Sequence, residues 1–137
     1  MNNLPIKWED GHLWLLDQTR LPSQVIYLDI LDSTQAIEAI KNLRVRGAPA
    51  IGVTGAYALY LAAKNYLDLP LEAFQKSLDC AAAAISSARP TAVNLTWAVA
   101  RAKEVAANVT TTLGAAELIL AEAKKIETED RIGNERI

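Results

Sequence analysis

The sequence predicts an α+β fold, with a small antiparallel sheet of about three strands followed by a bundle of about five α-helices. In the first 30 residues, apolar and polar residues flank an Asp-Gly pair, which is a strong signal for a tight hairpin turn. From Ser33 onward the apolar residues recur at helical spacing instead. A length of 137 residues suits one domain, and an apolar fraction of 51% is enough to form a buried core.

Three short strands are expected before Ser33. Ile6–Glu9 and His12–Leu16 lie on either side of the Asp-Gly turn, and a second turn covers residues 21–23. Residues 25–28 are rich in β-branched and aromatic side chains, which favours a third strand. A sheet of this size needs another layer on one face to be stable, so we expect the helices to cover it.

Five helices are expected in the rest of the chain. Asp32 or Ser33 can cap the first helix, and Thr91 or Asn94 can cap the fourth. Pro49 suits the first turn of the second helix, which is apolar nearly all round and should form the buried centre of the bundle. The predicted ranges are about 34–42, 50–67, 71–87, 95–108 and 113–130.

Residues 1–130 are interpreted as one domain that contains the sheet and the bundle. The stretch 131–137 belongs to a region dense in charges of both signs. It is interpreted as the start of a linker to a further domain, although such a composition also fits a solvated helix end.

Composition excludes several classes of function. A net charge of −2, from 14 basic and 16 acidic residues, argues against a nucleic-acid binder that relies on a basic face. The single cysteine, Cys80, rules out an internal disulfide and fits a reducing compartment. No signal peptide is visible, and the most apolar run, 51–63, is shorter than the roughly 20 residues of a membrane span. We therefore expect a cytoplasmic protein that has neither nucleic acid nor a membrane as a partner.

The stretch 46–52, Arg-Gly-Ala-Pro-Ala-Ile-Gly, is the first candidate binding site. Arg46 and Gly47 precede a helix start, where free backbone N–H groups and the helix dipole favour an anion. Gly47 lets a ligand approach the main chain, and Arg46 can bind a phosphate through two parallel hydrogen bonds. The same residues also fit a plain turn between helices, with Arg46 as a surface charge.

The stretch 89–95, Arg-Pro-Thr-Ala-Val-Asn-Leu, is the second candidate, again with an arginine in a loop that leads into a helix. The alternative is that Pro90 and Asn94 only stop and start helices while Arg89 is solvated. The hypothesis that follows is that two arginine loops converge on one anionic group. The spacing alone does not require this convergence.

The other residues that could carry chemistry are weaker candidates for a functional site. His12 has no metal-ligand partner nearby in the sequence and is expected to be exposed. Cys80 lies among alanines with no basic neighbour, which predicts a small buried core residue and not a nucleophile. The sequence has no Walker-type loop, zinc pattern or dinucleotide fingerprint. Packing positions are expected for Trp8, Trp14 and Trp97, and edge charges for Glu9, Asp10 and Asp17.

Three stretches resemble, in this order, the N-terminal signatures of methylthioribose-1-phosphate isomerases. These are 15–22 (Leu-Leu-Asp-Gln-Thr-Arg-Leu-Pro), 45–52 (Val-Arg-Gly-Ala-Pro-Ala-Ile-Gly) and 89–95. The resemblance covers nearly the whole chain. The wider group includes the α, β and δ subunits of translation initiation factor 2B and archaeal ribose-1,5-bisphosphate isomerase.

The resemblance implies an aldose–ketose isomerase, an intramolecular oxidoreductase that converts 5-methylthioribose 1-phosphate to 5-methylthioribulose 1-phosphate in methionine salvage. In this family a sheet-plus-bundle domain packs against a Rossmann-like C-terminal domain, and the substrate lies between them. Four residues of this chain correspond to substrate-binding positions: Arg46, Gly47, Ala48 and Arg89.

The resemblance also implies that the catalytic cysteine and the proton-donating aspartate lie in the C-terminal domain. This chain should then hold no catalytic residue and be inactive alone. No metal or organic cofactor is implied, the partner is a small sugar phosphate, and the full-length protein is expected to be a homodimer.

Three other hypotheses remain open at this point. They are an isomerase of a related sugar phosphate such as ribose 1,5-bisphosphate, a non-catalytic regulatory subunit like those of initiation factor 2B, and an independent helical interaction module. Two intact arginine motifs favour an isomerase over a scaffold, because a scaffold does not need phosphate-directed arginines.

Overall fold

The N-terminal part of the chain forms an antiparallel sheet, in which the Asp-Gly turn joins the first two strands. The computed structural model describes residues 5–42, 44–45 and 48–135, with Ala48 and residues 132–135 described by their backbone. Strands β1 (Ile6–Glu9), β2 (His12–Leu16) and β3 (Tyr27–Ile30) pair in the order β1-β2-β3. Asp10 and Gly11 have φ of 53° and 78°, the left-handed values that a type I′ hairpin turn needs. The predicted hairpin is confirmed.

The third strand begins two residues later than the sequence predicts. Tyr27 pairs with Leu16 and Ile30 with Leu13, whereas Val25 is 53% exposed. Ile30 and its partner Leu13 are both buried in the core, so this register removes their apolar side chains from water. The β-branched residue Val25 therefore lies ahead of the strand.

Five helices follow the sheet, and their bounds depart from the prediction mainly at the ends. Asp32 is the cap of the first helix, because its carboxylate accepts a hydrogen bond from the backbone N–H of Gln35 at 2.8 Å. Residues 131–135 continue the last helix, so no break marks the predicted linker, and the domain boundary remains a prediction. The helices are α1 (Ser33–Lys41), α2 (Ala48–Lys64), α3 (Leu71–Ser86), α4 (Val93–Glu104) and α5 (Thr112–Glu135).

The predicted caps of α4 are wrong. Ala92 precedes the helix and makes no side-chain capping bond, while Asn94 lies inside the first turn. The carbonyl of Ala92 accepts hydrogen bonds from the N–H groups of Leu95 and Thr96 at 3.1 and 3.2 Å. Leu95 is fully buried, so packing sets the start of α4 and outweighs the capping preference of Thr91 and Asn94.

Helix α2 is the centre of the bundle, as its continuous apolar sequence predicts. It contacts each of the other four helices, and its largest contact is with α4. The buried hydroxyl of Thr54 donates to the carbonyl of Ala50 at 2.8 Å, one turn earlier on the same helix. A side chain at Gly55 would collide with Leu95 and Val99 of α4, so this glycine permits the close approach of the two helices.

An aromatic contact joins the sheet to the bundle. The Trp8 ring of β1 stacks on Tyr57 of α2, with 4.8 Å between ring centroids and 10° between ring planes. The buried Tyr57 hydroxyl donates to the Glu127 carboxylate of α5 at 2.5 Å. Burial, and then this hydrogen bond, raise the pKa of Tyr57 above its usual range. Three elements therefore meet at Tyr57, and the predicted packing role of Trp8 is confirmed.

Two other predictions of burial are wrong. Cys80 is exposed, because α3 buries the face that carries Phe74 and Leu78, and Cys80 lies roughly 200° around the helix from Leu78. Trp97 is 54% exposed on α4. Within the described ranges, none of the helices combines the length and apolar character required to cross a membrane.

Candidate anion-binding site

The start of α2 is approached by a chain segment that is fixed by burial. Val45 is fully buried, and the N–H groups of Arg44 and Val45 both donate to the carbonyl of Ala39, at 2.8 and 3.4 Å. Helix α2 then begins at Ala48, two residues earlier than predicted, with Pro49 in its first turn. Arg46, Gly47 and the side chain of Ala48 lie outside the described residues, so their contacts with an anion remain a prediction.

The start of α4 has the features of an anion-binding helix terminus. Ala92 donates its N–H to the carbonyl of Arg89 at 2.9 Å, which closes the turn ahead of the helix. No side chain caps α4, so the N–H groups of its first two residues, Val93 and Asn94, have no side-chain partner among the described residues and lie at the positive end of the helix dipole. Arg89 is partly buried, and its guanidinium group forms no hydrogen bond or ion pair with any residue that the structure describes. This arginine is thus a cation with free hydrogen-bonding capacity beside a helix start.

The two helix starts are neighbours. A Cβ atom on Gly52, the fifth residue of α2, would lie 3.0 Å from the carbonyl oxygen of Asn94, the second residue of α4. At 1.5 Å of rise per residue, Gly52 is only about 6 Å along the axis from the first residue of α2. The loops that carry the two candidate arginines therefore lead into adjacent helix ends. This is the arrangement that the convergence hypothesis requires.

A valine at Gly52 tests this contact. Because the opposing atom is backbone, it cannot be moved by a rotamer change, and we expect Gly52→Val to lower the free energy of unfolding by about 1–3 kcal/mol. The measurement is urea denaturation. The control is Ala100→Val, which places the same side chain on an exposed face of α4 and should cost much less. Equal losses in the two variants would contradict the close contact of α2 and α4.

A cavity of about 230 Å³ opens beside these helix starts. Its acidic side is formed by Glu129 and Asp130 of α5, and burial raises the pKa of Asp130. Carboxylates accept hydrogen bonds from hydroxyl groups and disfavour a second anion, so the cavity suits a neutral hydroxyl-bearing group and the helix starts suit the anion. The cavity is lined by Pro49, Gly52, Val53, Asn94, Trp97, Ala98, Ile126, Glu129 and Asp130.

Arg101 links helix α4 to helix α5 through hydrogen-bonded ion pairs. Its two Nη atoms bind the two carboxylate oxygens of Glu129 at 2.8 and 2.7 Å, and its Nε binds Glu122 at 2.5 Å. The hydrogen bonds from Arg101 lower the pKa of Glu129. The guanidinium carbon also lies 5.3 Å from the centre of the Trp97 ring, which is a cation–π contact for this partly exposed tryptophan. The sequence contained no local signal for this network, because its members come from different helices.

Asp17 was predicted as an edge charge, and this prediction is wrong. It is only 2% exposed, and its carboxylate accepts hydrogen bonds from the Thr19 N–H at 3.0 Å, the Thr19 hydroxyl at 2.5 Å and Arg44 Nη1 at 3.2 Å. Burial alone would raise the pKa of Asp17. The hydrogen bonds from Thr19 and the positive charges of Arg44 and Arg20 outweigh burial, so the pKa of Asp17 lies below 3.8, the usual value for an aspartate.

The lowered pKa makes a prediction about acid stability. Since the folded state favours the charged form, Asp17 contributes its full stabilisation above pH 3.8 and loses it as the pH falls through the lower folded pKa. At pH 7, Asp17→Asn is expected to cost about 1–3 kcal/mol. The difference in unfolding free energy between wild type and variant should shrink below about pH 4. A difference that stays constant from pH 7 to pH 2 in urea denaturation would contradict this assignment.

His12 is half-exposed, as predicted, but it does have a partner. Its Nδ1 lies 3.0 Å from an Asp29 carboxylate oxygen on the neighbouring strand. No group of three or more His, Cys, Asp or Glu side chains suited to hold a metal ion occurs among the residues that the structure describes.

Comparison with known proteins shows which family the chain belongs to. The profile of the initiation factor 2 subunit family matches residues 44–137, which include both arginine motifs and helices α2 to α5. The chain belongs to the initiation factor 2 subunit family. The resemblance inferred from the three motifs is confirmed at the level of this family.

Two relatives in the family are named as sugar-phosphate isomerases. The chain is 42% identical over 134 residues to a methylthioribose-1-phosphate isomerase from Heliobacterium modesticaldum, covering 96% of the chain and 39% of the relative. It is 44% identical over 128 residues to a 5-deoxyribose 1-phosphate isomerase from Moorella thermoacetica, covering 92% of the chain and 36% of the relative. The chain thus spans well under half the length of these relatives.

Two solved structures of the family share the fold. One is the delta subunit of the translation initiation factor eIF-2B from A. fulgidus, with a TM-score of 0.86 and 39% identity over 92% of this chain and 37% of that one. The other is the 5-methylthioribose 1-phosphate isomerase from Pyrococcus horikoshii OT3, with a TM-score of 0.86 and 32% identity over 93% of this chain and 37% of that one. The predicted sheet followed by a helical bundle is confirmed.

Proposed function

We propose that this chain is the substrate-binding N-terminal part of a sugar-phosphate isomerase, which converts 5-methylthioribose 1-phosphate to 5-methylthioribulose 1-phosphate in methionine salvage. The main observation in support of this proposal is the close contact between Gly52 of α2 and Asn94 of α4, because it places the starts of these two helices next to each other. Each of these helices is preceded by a motif arginine, Arg46 or Arg89. Two helix ends and two guanidinium groups are well suited to a doubly charged phosphate.

The role of this region is to bind and orient the substrate. A phosphate on the anomeric carbon keeps the furanose ring closed, so the ring oxygen must be protonated and the ring opened before hydrogen moves from C2 to C1. Arg46, Gly47, Ala48 and Arg89 hold the phosphate and thereby fix the sugar relative to the groups that perform the proton transfers. Those groups belong to the part of the relatives that this chain does not span, so residues 1–137 are inactive alone.

A second candidate substrate is 5-deoxyribose 1-phosphate, because several relatives carry that name, including one 44% identical to this chain. The phosphate would bind in the same place, and the two sugars differ only at the far end of the molecule. Similarity to the eIF-2B delta subunit favours a third candidate, a regulatory subunit that acts through protein contacts. Such a subunit would not turn over either sugar phosphate.

A hybrid enzyme tests the proposed function. Residues 1–137 replace the matching region of the Heliobacterium isomerase, and the parent enzyme serves as the control. We expect the hybrid to isomerise methylthioribose 1-phosphate or 5-deoxyribose 1-phosphate, and the relative rates identify the better substrate. The 137-residue chain alone should show no turnover. A folded hybrid that isomerises neither compound would overturn the isomerase proposal, and turnover by the isolated chain would overturn the division of labour.

A further inference from the structure

The cavity beside the starts of α2 and α4 is bounded on its third side by residues near the end of α5. Each helix contributes residues about one turn apart, which therefore lie on the same face of that helix. The cavity is thus a space between three packed helices, and all of its lining residues belong to the described part of the chain. They are Pro49, Gly52 and Val53 of α2, Asn94, Trp97 and Ala98 of α4, and Ile126, Glu129 and Asp130 of α5.

The floor of this cavity is apolar, and its mouth is polar. Val53, Ala98 and Ile126 are at most 5% exposed, so they close the inner end. Asn94 is exposed and Asp130 is partly buried, so these polar side chains lie where the cavity meets solvent. The volume of about 230 Å³ is below the roughly 300–1,000 Å³ of pockets for drug-sized ligands. The cavity therefore suits one small ring that has both apolar and polar surfaces.

The two carboxylates of this cavity differ in their hydrogen bonding. Both oxygens of Glu129 accept hydrogen bonds from Arg101, at 2.8 and 2.7 Å. The Asp130 carboxylate forms no hydrogen bond or ion pair with any residue in the described ranges, and its neighbour Arg131 binds Glu127 instead. Burial raises the pKa of Asp130, because water solvates its charge incompletely. Asp130 can therefore accept hydrogen bonds from a ligand in the cavity.

Asn94 and Trp97 form the α4 side of the cavity. The side-chain amide of Asn94 has no hydrogen-bond partner among the residues that the structure describes, so it can both donate to a ligand and accept from it. Trp97 adds an aromatic surface against which C–H groups can pack. A sugar ring has hydroxyl groups at its edge and C–H groups on its faces. A free carboxylate, a free amide and an aromatic ring match this pattern.

The charges around the cavity favour a neutral group inside it. The unpaired charge of Asp130 disfavours an anion in the cavity. A cation is disfavoured by the positive dipole ends of α2 and α4, because both helices begin beside the cavity. A hydroxyl-bearing group carries no net charge and can still donate hydrogen bonds to a carboxylate. Such a group therefore avoids both penalties.

We propose that Asp130 and Asn94 bind the ring hydroxyl groups of an aldopentose 1-phosphate in this cavity and thereby select the sugar. This inference rests on the proposed function, which supplies a sugar phosphate as the ligand. The helix starts that attract the phosphate border the cavity, so a sugar attached to that phosphate can enter it. Affinity then depends on the hydroxyl groups as well as on the phosphate.

Two ligands separate recognition of the sugar from recognition of the phosphate. The 137-residue chain is titrated in a calorimeter with 5-methylthioribose 1-phosphate and with inorganic phosphate. We expect Asp130→Ala to weaken binding of the sugar phosphate about tenfold, as loss of a hydrogen bond to a charged group predicts. Binding of inorganic phosphate should stay unchanged or become slightly stronger, because a nearby negative charge has been removed. Asn94→Ala should weaken only the sugar phosphate, about threefold.

The control is Asp68→Ala, which makes the same change at an exposed position beyond the far end of α2 and should alter neither dissociation constant. Losses of equal size for the two ligands would indicate general disruption of the helix ends and would overturn the proposal. An unchanged dissociation constant of the sugar phosphate in both variants would overturn it as well. Should Asp130→Ala fail to fold, Asn94→Ala decides the result by the same criterion.

A neutral ligand separates failure of this inference from failure of the proposed function. If the hybrid enzyme is inactive and neither phosphate ligand binds, the proposed function fails, and the cavity is tested with 5-methylthioribose. This sugar carries no phosphate, and it remains a furanose because its C5 has no hydroxyl group. We expect it to move the indole N–H NMR signal of Trp97, with a dissociation constant about tenfold higher in Asp130→Ala. No movement of this signal, or the same dissociation constant in the variant, overturns the sugar site.

Discussion

Replacing Tyr57 by alanine is expected to lower the free energy of unfolding by about 3–5 kcal/mol, the usual cost of removing a large buried aromatic side chain. The ring is fully buried, stacks on Trp8 of the sheet and reaches Glu127 of α5 through its hydroxyl. Its removal leaves a cavity where three elements meet. Urea denaturation followed by circular dichroism measures the loss.

The variant Tyr57→Phe separates the ring from its hydroxyl group. It retains the stacking on Trp8 and removes only the hydrogen bond to Glu127, so we expect a cost of about 1.5–3 kcal/mol, as for a hydrogen bond to a charged group. Glu127 keeps a partner in Arg131, whose Nη2 lies 2.6 Å from the other carboxylate oxygen. If Tyr57→Ala costs no more than Tyr57→Phe, the ring does not join the sheet to the bundle.

The second large effect concerns the two motif arginines. In the hybrid enzyme, Arg46→Ala and Arg89→Ala are each expected to weaken substrate binding by about 1.5–3 kcal/mol, which corresponds to about 10- to 150-fold in Kd. Both losses should appear in KM, and the double variant should lose less than the sum, because the two groups share one anion. Substrate titration of initial rates provides the measurement.

The control for the arginine variants is Lys76→Ala. It removes one cation from an exposed position near the start of α3, roughly 15 Å along the helix from the loop that contains Arg89. Its KM should match that of the unmodified hybrid. An unchanged KM in both arginine variants would show that neither side chain binds the phosphate.

Much of the fold was predictable because its signals are local. The Asp10-Gly11 pair set the hairpin, and the continuous apolar sequence of α2 marked it as the central helix. Errors arose where tertiary packing decided the outcome. Cys80 is a residue type common in protein cores but lies on the exposed face of α3, and Trp97 is 54% exposed and contacts Arg101. Residue type alone carries no information about which face of a helix is covered.

The candidate site was predictable only in part, for the same reason. Two arginine loops before helix starts were visible in the sequence, but their proximity depends on the packing of α2 against α4. The glycines Gly52 and Gly55, three residues apart in an apolar helix, were the available signal for this close approach. Asp17 carried no such signal, because its partner Arg44 is distant in the sequence and only the fold brings the two together.

The most direct test of the account is whether the starts of α2 and α4 bind one anion together. The 137-residue chain is titrated with 5-methylthioribose 1-phosphate while the amide NMR signals of Gly47, before α2, and Val93, at the start of α4, are followed. We predict that both signals move with a single dissociation constant and that Arg46→Ala weakens both curves equally. Movement of only one of the two signals, or two unrelated dissociation constants, would contradict a shared site.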